Sequence, residues 1–168
     1  MINAIPGSRD PIAEAENQWR AHGWAAAAPG MAAITSIMRA QQIALAAVEA
    51  VLRPHEITFA RYEVLMLLEF SSRGELPMRI IGSRLQVHPT SVTNAVDRLE
   101  QSALVRRKPH PTDRRTTLVA ITAAGRRLAK AATDDLNSNV FENLGISDTV
   151  VTQLNRDLTK FRQAAGDF

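Results

Sequence analysis

The chain contains no cysteine. A disulfide framework, a thiolate-ligated zinc and a thiol redox switch are therefore excluded. Aromatic residues make up only 5% of the 168 residues, so a core drawn from the 45% hydrophobic content must consist mainly of Leu, Val, Ile, Ala and Met. There is no Gly-rich phosphate loop and no Ser-His-Asp constellation in a strand context, and Glu63 beside Arg61 and Tyr62 reads as a helix surface rather than an acid–base pair. No enzymatic activity is expected. His22, His55, His88 and His110 lack metal-ligand spacing, so neither a metal nor a cofactor is expected. The longest apolar run, Trp24 to Ile34, is too short to span a bilayer and is broken at Pro29-Gly30. No basic segment followed by an apolar one opens the chain. The expectation is a soluble cytoplasmic protein without a membrane partner, made of one domain or two interleaved subdomains.

Charge is unevenly spread. Between Met78 and Arg127 ten Lys/Arg face three acids, a surplus of seven, so the rest of the chain carries −4 of the +3 total. A basic module on an acidic body suggests a polyanionic partner for one face. The punctuation of the chain predicts mainly helices. Asp10-Pro11 starts one that runs to His22, ahead of a loop at Pro29-Gly30. A long helix from Met31 to Leu52 carries Ile34, Ile37, Met38, Leu45, Val48 and Leu52 on one face. Thr58 caps the next helix, Pro77 opens a short one, and Pro89 opens another. Leu104–Lys108 and Thr116–Ile121 read as a β-hairpin with a basic tip around Pro109–Asp113. Thr122 caps a helix with Leu128, Ala132, Leu136 and Val140 spaced by fours. Ser147 caps a last one with Val151, Leu154, Leu158 and Phe161, a stripe suited to another helix in this chain or in a partner.

In the helix that Pro89 opens, Val92, Val96 and Leu99 fall on one face, leaving Thr90, Ser91, Asn94, Asp97 and Arg98 outside and Thr93 at the edge. Two helices joined by about three residues, the second with a polar outer face, make a helix-turn-helix pattern. The major groove of DNA admits one such helix and displays a readable donor and acceptor code. Thr90, Ser91, Thr93 and Asn94 are therefore the candidate base or phosphate contacts, and the helix N-terminus itself favours a phosphate. Arg84 is a phosphate candidate on the preceding helix. Arg114 and Arg115 at the hairpin tip suit a narrow minor groove, with Asp113 expected to pair with an arginine and aim it. Arg106, Arg107 and Lys108 alternate along a strand and cannot all face one side.

The stretch from Ile57 to Gly125 resembles the multiple-antibiotic-resistance regulator (MarR) family of winged-helix repressors. The resemblance rests on Leu65 and Leu68, on Ser91-Val92-Thr93 and Val96-Asp97-Arg98-Leu99-Glu100, on Leu104-Val105-Arg107, on Asp113-Arg114-Arg115, and on Leu118 with Ile121-Thr122-Ala123-Ala124-Gly125. Two departures are Ala103, where glycine is usual, and Gly82, where alanine is usual. The resemblance implies a winged helix-turn-helix (56–121) whose β-hairpin is the wing, flanked by helices (10–55 and 122–168) that form a dimerisation region. It implies a homodimer on a palindromic operator, with Arg84, Thr90, Ser91, Thr93, Asn94, Arg98, Arg107, Asp113, Arg114 and Arg115 toward double-stranded DNA. It also implies a small anionic or aromatic effector. The extra helix around Trp19 is similar to a urate-responsive subgroup, whose pocket positions correspond here to Trp19, Glu63, Asn94 and Arg107; Asn94 replaces a cation of that pocket. The competing reading is a winged helix used for protein contacts without sequence-specific DNA binding.

Overall fold

The computed structural model describes residues 9–85, 88–113 and 115–168. Gln86, Val87 and Arg114, three positions of the expected turn and wing tip, lie outside the described residues. The order of elements is α1 (Pro11–Ala21), α2 (Ala28–Leu52), α3 (Phe59–Glu69), β1 (Glu75–Pro77), α4 (Met78–Leu85), α5 (Pro89–Gln101), β2 (Val105–Pro109), β3 (Thr117–Ile121), α6 (Ala123–Leu136) and α7 (Asp148–Ala164). A 3-10 turn at Arg53–His55 ends α2, and a π-helical turn at Asn137–Phe141 extends α6. The mainly helical class with a hairpin wing is as expected.

The predicted caps are in place. Asp10 accepts from the amide of Ile12 at 2.9 Å, Thr58 from Arg61 at 3.4 Å, Thr122 from Gly125 at 3.0 Å and Ser147 from Val150 at 3.5 Å. Each occupies one of the amides that a helix start leaves without an intrahelical partner.

Two expectations need correction. The loop at Pro29-Gly30 is absent: α2 begins at Ala28, with the proline in its first turn. An N–H at that position would have had no helical partner, so the imino ring costs nothing there. The uninterrupted α2 is consequently, with the turn after it, long and apolar enough to cross a membrane by length and composition alone, a stretch longer than the Trp24–Ile34 run weighed from the sequence. The second concerns Pro77, expected to open a helix: α4 begins one residue later, and Pro77 ends a strand, β1, that the sequence does not announce. The strand pairs antiparallel with β3, Glu75 opposite Ala120 and Pro77 opposite Leu118, giving the sheet order β1-β3-β2. A three-residue strand has no alternation to detect, and its partner lies more than forty residues ahead.

The core lies where α3, α5, the sheet and α6 meet. Val64, Leu65, Leu68, Ile81, Val96, Val119, Ala132 and Leu136 are fully enclosed. The C-terminal end of α2 joins it through Val48 and Leu52. Polar bonds tie the same helices: Glu49 accepts from the amide of Phe59 at 2.8 Å, Tyr62 hydroxyl meets Thr133 hydroxyl at 2.9 Å, and His55 Nε2 meets Asp135 at 2.7 Å. Elsewhere apolar surface is left over. Ile34, Met38 and Leu45 of the predicted α2 face are exposed, and α7 buries no residue at all within the chain.

The exit from α5 is tightly wound. The amide of Leu104 donates to Leu99 carbonyl and that of Ala103 to Glu100 carbonyl, both at 2.9 Å, the paired bonds of a Schellman stop. That stop puts Ala103 at φ +57°, in the left-handed region where a Cβ is strained. This is why a glycine suits the position. Ala103→Gly is expected to raise stability by about 1 kcal/mol, or about 2–4 °C in Tm for a chain of this size; differential scanning calorimetry checks it, and an unchanged or lower Tm would show that the strain is absorbed elsewhere. Gly125 is the opposite case. A Cβ there would sit 2.2 Å from Leu104 carbonyl oxygen, which already accepts from the amide and hydroxyl of Thr122 at 3.0 and 3.1 Å. At Gly82, by contrast, a Cβ would meet Val92 at an ordinary 3.5 Å, so alanine would fit that site as well.

Candidate nucleic-acid interface

Helix α5 is held by one face and free on the other. Val92, Val96 and Leu99 are 2%, 0% and 1% exposed, each burial being worth about 1.5–3 kcal/mol. Thr90, Ser91, Thr93, Asn94 and Arg98 are exposed. His88 caps the helix, its Nδ1 accepting from Thr90 amide at 3.3 Å, and Arg98 reaches Gln101 at 3.3 Å. The polar face anticipated from the sequence is thus a single outward surface beginning at a helix N-terminus. Arg84 ends α4 beside it, exposed.

Register in the hairpin sorts the three cations of β2. Arg107 stands opposite Val119 and Val105 opposite Ile121, on the core side; Arg106 and Lys108 stand opposite Ala120 and Leu118, on the other side. Lys108 is ion-paired to Glu75 of β1. Arg107 is more heavily engaged. Its guanidinium bonds Asp97 and Glu100 of α5, each at 2.5 Å, and its amide donates to Glu100 at 2.7 Å. These bonds, the amide first and the guanidinium second, hold the Glu100 carboxyl below the usual carboxylate range. Burial opposes the charge on Arg107, but the two carboxylates outweigh it and its pKa is raised. Arg107 therefore joins the wing strand to the reading helix, and its fork is already occupied. The signal for this was present in the sequence: Asp97 and Glu100 are three apart on one helical face and call for a cation.

At the wing tip Asp113 bonds the turn itself among the described residues, with Arg114, one of the arginines it was expected to aim, lying outside them. The Asp113 carboxylate accepts from Thr116 hydroxyl at 2.6 Å and from Arg115 amide at 3.0 Å, and these bonds, in that order, lower its pKa. It folds the turn backbone, the habit of an Asp two residues before an amide, and so presents Arg115, which is exposed. Arg79, in the first turn of α4 and absent from the sequence-based set, is close enough to Asp113 to contribute to the same shift. Arg114 lies outside the described residues.

The effector set is dispersed over four elements. Trp19 on α1 packs edge-on against Trp24 with ring centroids 5.3 Å apart. Glu63 on α3 is half-buried, and desolvation pushes its carboxyl up. Asn94 is on the open face of α5, and Arg107 is spent on its two carboxylates. None of the four lines the cavities at the sheet, at the end of α7 or between α3 and α6.

Known proteins share this arrangement. Residues 57–117 match the MarR family. The solved structure of Sco5413, a MarR family transcriptional regulator from Streptomyces coelicolor, is 54% identical, covers 83% of this chain and 97% of its own, and superposes with a TM-score of 0.77. CouR from Rhodococcus jostii RHA1, solved bound to p-coumaroyl-CoA, is 32% identical over 74% of this chain and 87% of its own, with a TM-score of 0.64. The HTH-type transcriptional regulator MhqR of Bacillus subtilis (strain 168) is 43% identical over 53 residues, 32% of this chain and only 37% of that protein. With Sco5413 matched over nearly its whole length and the wing and reading helix in their expected register, this chain belongs to the MarR family of transcriptional regulators.

Proposed function

We propose that the protein is a ligand-responsive homodimeric repressor that places α5 in the major groove and the wing in the minor groove of a palindromic operator. One observation carries this reading: the outward face of α5 is continuous, polar and unobstructed from its N-terminus, while its inward face is locked. Thr90, Ser91, Thr93 and Asn94 serve as base or phosphate contacts, Arg84 and Arg98 as phosphate contacts, and Arg114 and Arg115 as minor-groove contacts. Arg107 and Asp113 act through the shape of the wing. The flanking segments, 10–55 and 122–168, supply the dimer interface: the exposed apolar residues of α2 and α7 need a cover, and a second copy of the same helices provides it. A small ligand is supported by CouR, whose structure holds p-coumaroyl-CoA. The protein acts in the cytoplasm, where its DNA is, and catalyses no reaction.

The deciding experiment is protection of DNA, with the protein's own upstream region as first fragment, repeated across salt concentrations. Two copies making six to ten phosphate contacts are expected to lose about 10³-fold or more in affinity between 50 and 200 mM salt. The half-sites are expected about one helical turn apart. Salt-independent binding, or no protection of any upstream fragment, would leave a protein-interaction module as the better description.

A further inference from the structure

Four histidines occur in the chain, and their hydrogen bonds sort them. His88 Nδ1 lies 3.3 Å from the amide of Thr90 at the start of α5. His110 Nδ1 lies 3.3 Å from the amide of Thr112 and 3.2 Å from that of Asp113, in the turn of the wing. A backbone amide can only donate, so each Nδ1 accepts. Each ring is then neutral and carries its proton on Nε2. His22 is the opposite case: its Nδ1 meets Gln18 carbonyl at 2.7 Å and must donate. His55 spends Nε2 on Asp135 at 2.7 Å.

His88 and His110 therefore each present an unspent Nε2–H. Among the described residues nothing bonds that atom in either ring. His88 is exposed and precedes Thr90 and Ser91 of the outward α5 face. His110 is half-buried and shares the wall of one cavity with Arg84, the phosphate candidate of α4. Both rings thus stand in the DNA-facing unit. A fixed neutral donor suits a phosphate oxygen, because hydroxyl, amide and ring N–H groups hold the backbone without reading sequence. It leaves the phosphate charge in place, so no condensed counterion is released.

We propose that His88 and His110 are DNA contacts, each donating Nε2–H to a phosphate oxygen while its Nδ1 holds the backbone of the element that carries it. The inference rests on the reading of α5 and the wing as the operator-binding unit and adds two residues to that unit. In each ring the amide that is capped also fixes the proton that meets DNA.

Asparagine separates the two tasks. Its side-chain oxygen keeps the helix cap and the turn, but its amide ends short of the place that Nε2 occupies. His88→Asn and His110→Asn are compared with the wild type as whole chains at about pH 8, above the ordinary imidazole range. Affinity is measured for the protected fragment and for a scrambled duplex across salt concentrations, and Tm by calorimetry. Each variant is expected to keep its Tm and to bind about tenfold more weakly, the loss of a hydrogen bond to a charged group. The loss should be equal on both duplexes, and the slope of log affinity against log salt should stay at the wild-type value. His88→Ala, which removes cap and donor together, should lower Tm as well. Asn variants that bind like the wild type, or affinity that falls only where Tm falls, would reduce both rings to caps and overturn the proposal. A loss confined to the protected fragment, or a shallower salt slope, would overturn the neutral phosphate donor. A wild type that binds no duplex would overturn the proposal together with the reading beneath it, whereas wild-type binding with indifferent Asn variants overturns the proposal alone.

Discussion

Replacing Leu154 and Leu158 of α7 together by arginine is expected to convert the protein to monomers and to lower operator affinity by more than about a hundredfold, since the second half-site is then no longer delivered by linkage. The stripe Val150, Leu154, Leu158, Phe161 runs down one side of α7 at spacings of four, four and three. Leu154, Leu158 and Phe161 are 47%, 36% and 48% exposed within the chain, although the sequence spaces them as strictly as the buried α6 residues Ala132 and Leu136. Such a stripe calls for a cover, and a second copy of the chain is the proposed one. Two buried arginines facing two more across a twofold axis would leave four charges without partners, a cost several-fold larger than a dimer interface of ordinary size tolerates. Sedimentation equilibrium reads the assembly and a DNA titration reads the affinity. Thr159→Arg, on a polar part of the same helix, should change neither. A double variant that stays dimeric with full operator affinity would place the interface away from α7.

Arg107→Met is expected to reduce operator affinity at least tenfold, about 1.4 kcal/mol, while the dimer persists. The side chain makes no outward contact; it ties β2 to α5 through Asp97 and Glu100, so its loss frees the wing from the helix it is meant to accompany. The stability cost is smaller, at most about 1 kcal/mol, because all three groups are partly exposed and water screens the pair once it is broken. Arg107→Lys should recover little, since an ammonium cannot bond two carboxylates and keep a planar fork. The clamp also has an acid limit. Glu100 titrates lower in the folded protein than in the unfolded chain, so its contribution is complete above its unfolded pKa and is lost as pH falls through its folded value. The wild type should lose stability over that interval more steeply than Arg107→Met. A double-mutant cycle between Arg107 and Glu100 isolates the link: no coupling energy in folding would mean that Arg107 acts by touching DNA directly.

What could be read from the chain and what could not divide along one physical line. Helix starts were legible because a cap is a local event: Asp10, Thr58, Thr122 and Ser147 each bond an amide two or three residues ahead. The inward set Val92, Val96 and Leu99 followed from periodicity alone. Pro29 misled because the same residue breaks a helix interior and begins a helix, and only its neighbours in space decide. β1 was silent because its bonds are owed to β3. The site residues split likewise. The outward face of α5 needed only a helical wheel, whereas the engagement of Arg107 and the turn-folding role of Asp113 depend on which strand lies beside which helix. The cavity beside the sheet had no sequence signature, since its lining comes from five separate segments between Phe70 and Leu118.

The convergence at Leu104 has a mechanical meaning. The two strands of the wing leave and return within one hydrogen bond of each other, with Thr122 amide on Leu104 carbonyl and Val105 paired to Ile121. Gly125 is pressed against the same carbonyl, so the first turn of α6 is seated on the root of the hairpin with no slack between them. A hairpin mounted this way is braced at its base by the first turn of α6. In the proposed dimer on DNA, a displacement of the wing tip would be felt by α6, and a change in how two copies sit together would reach the tip through the same contact.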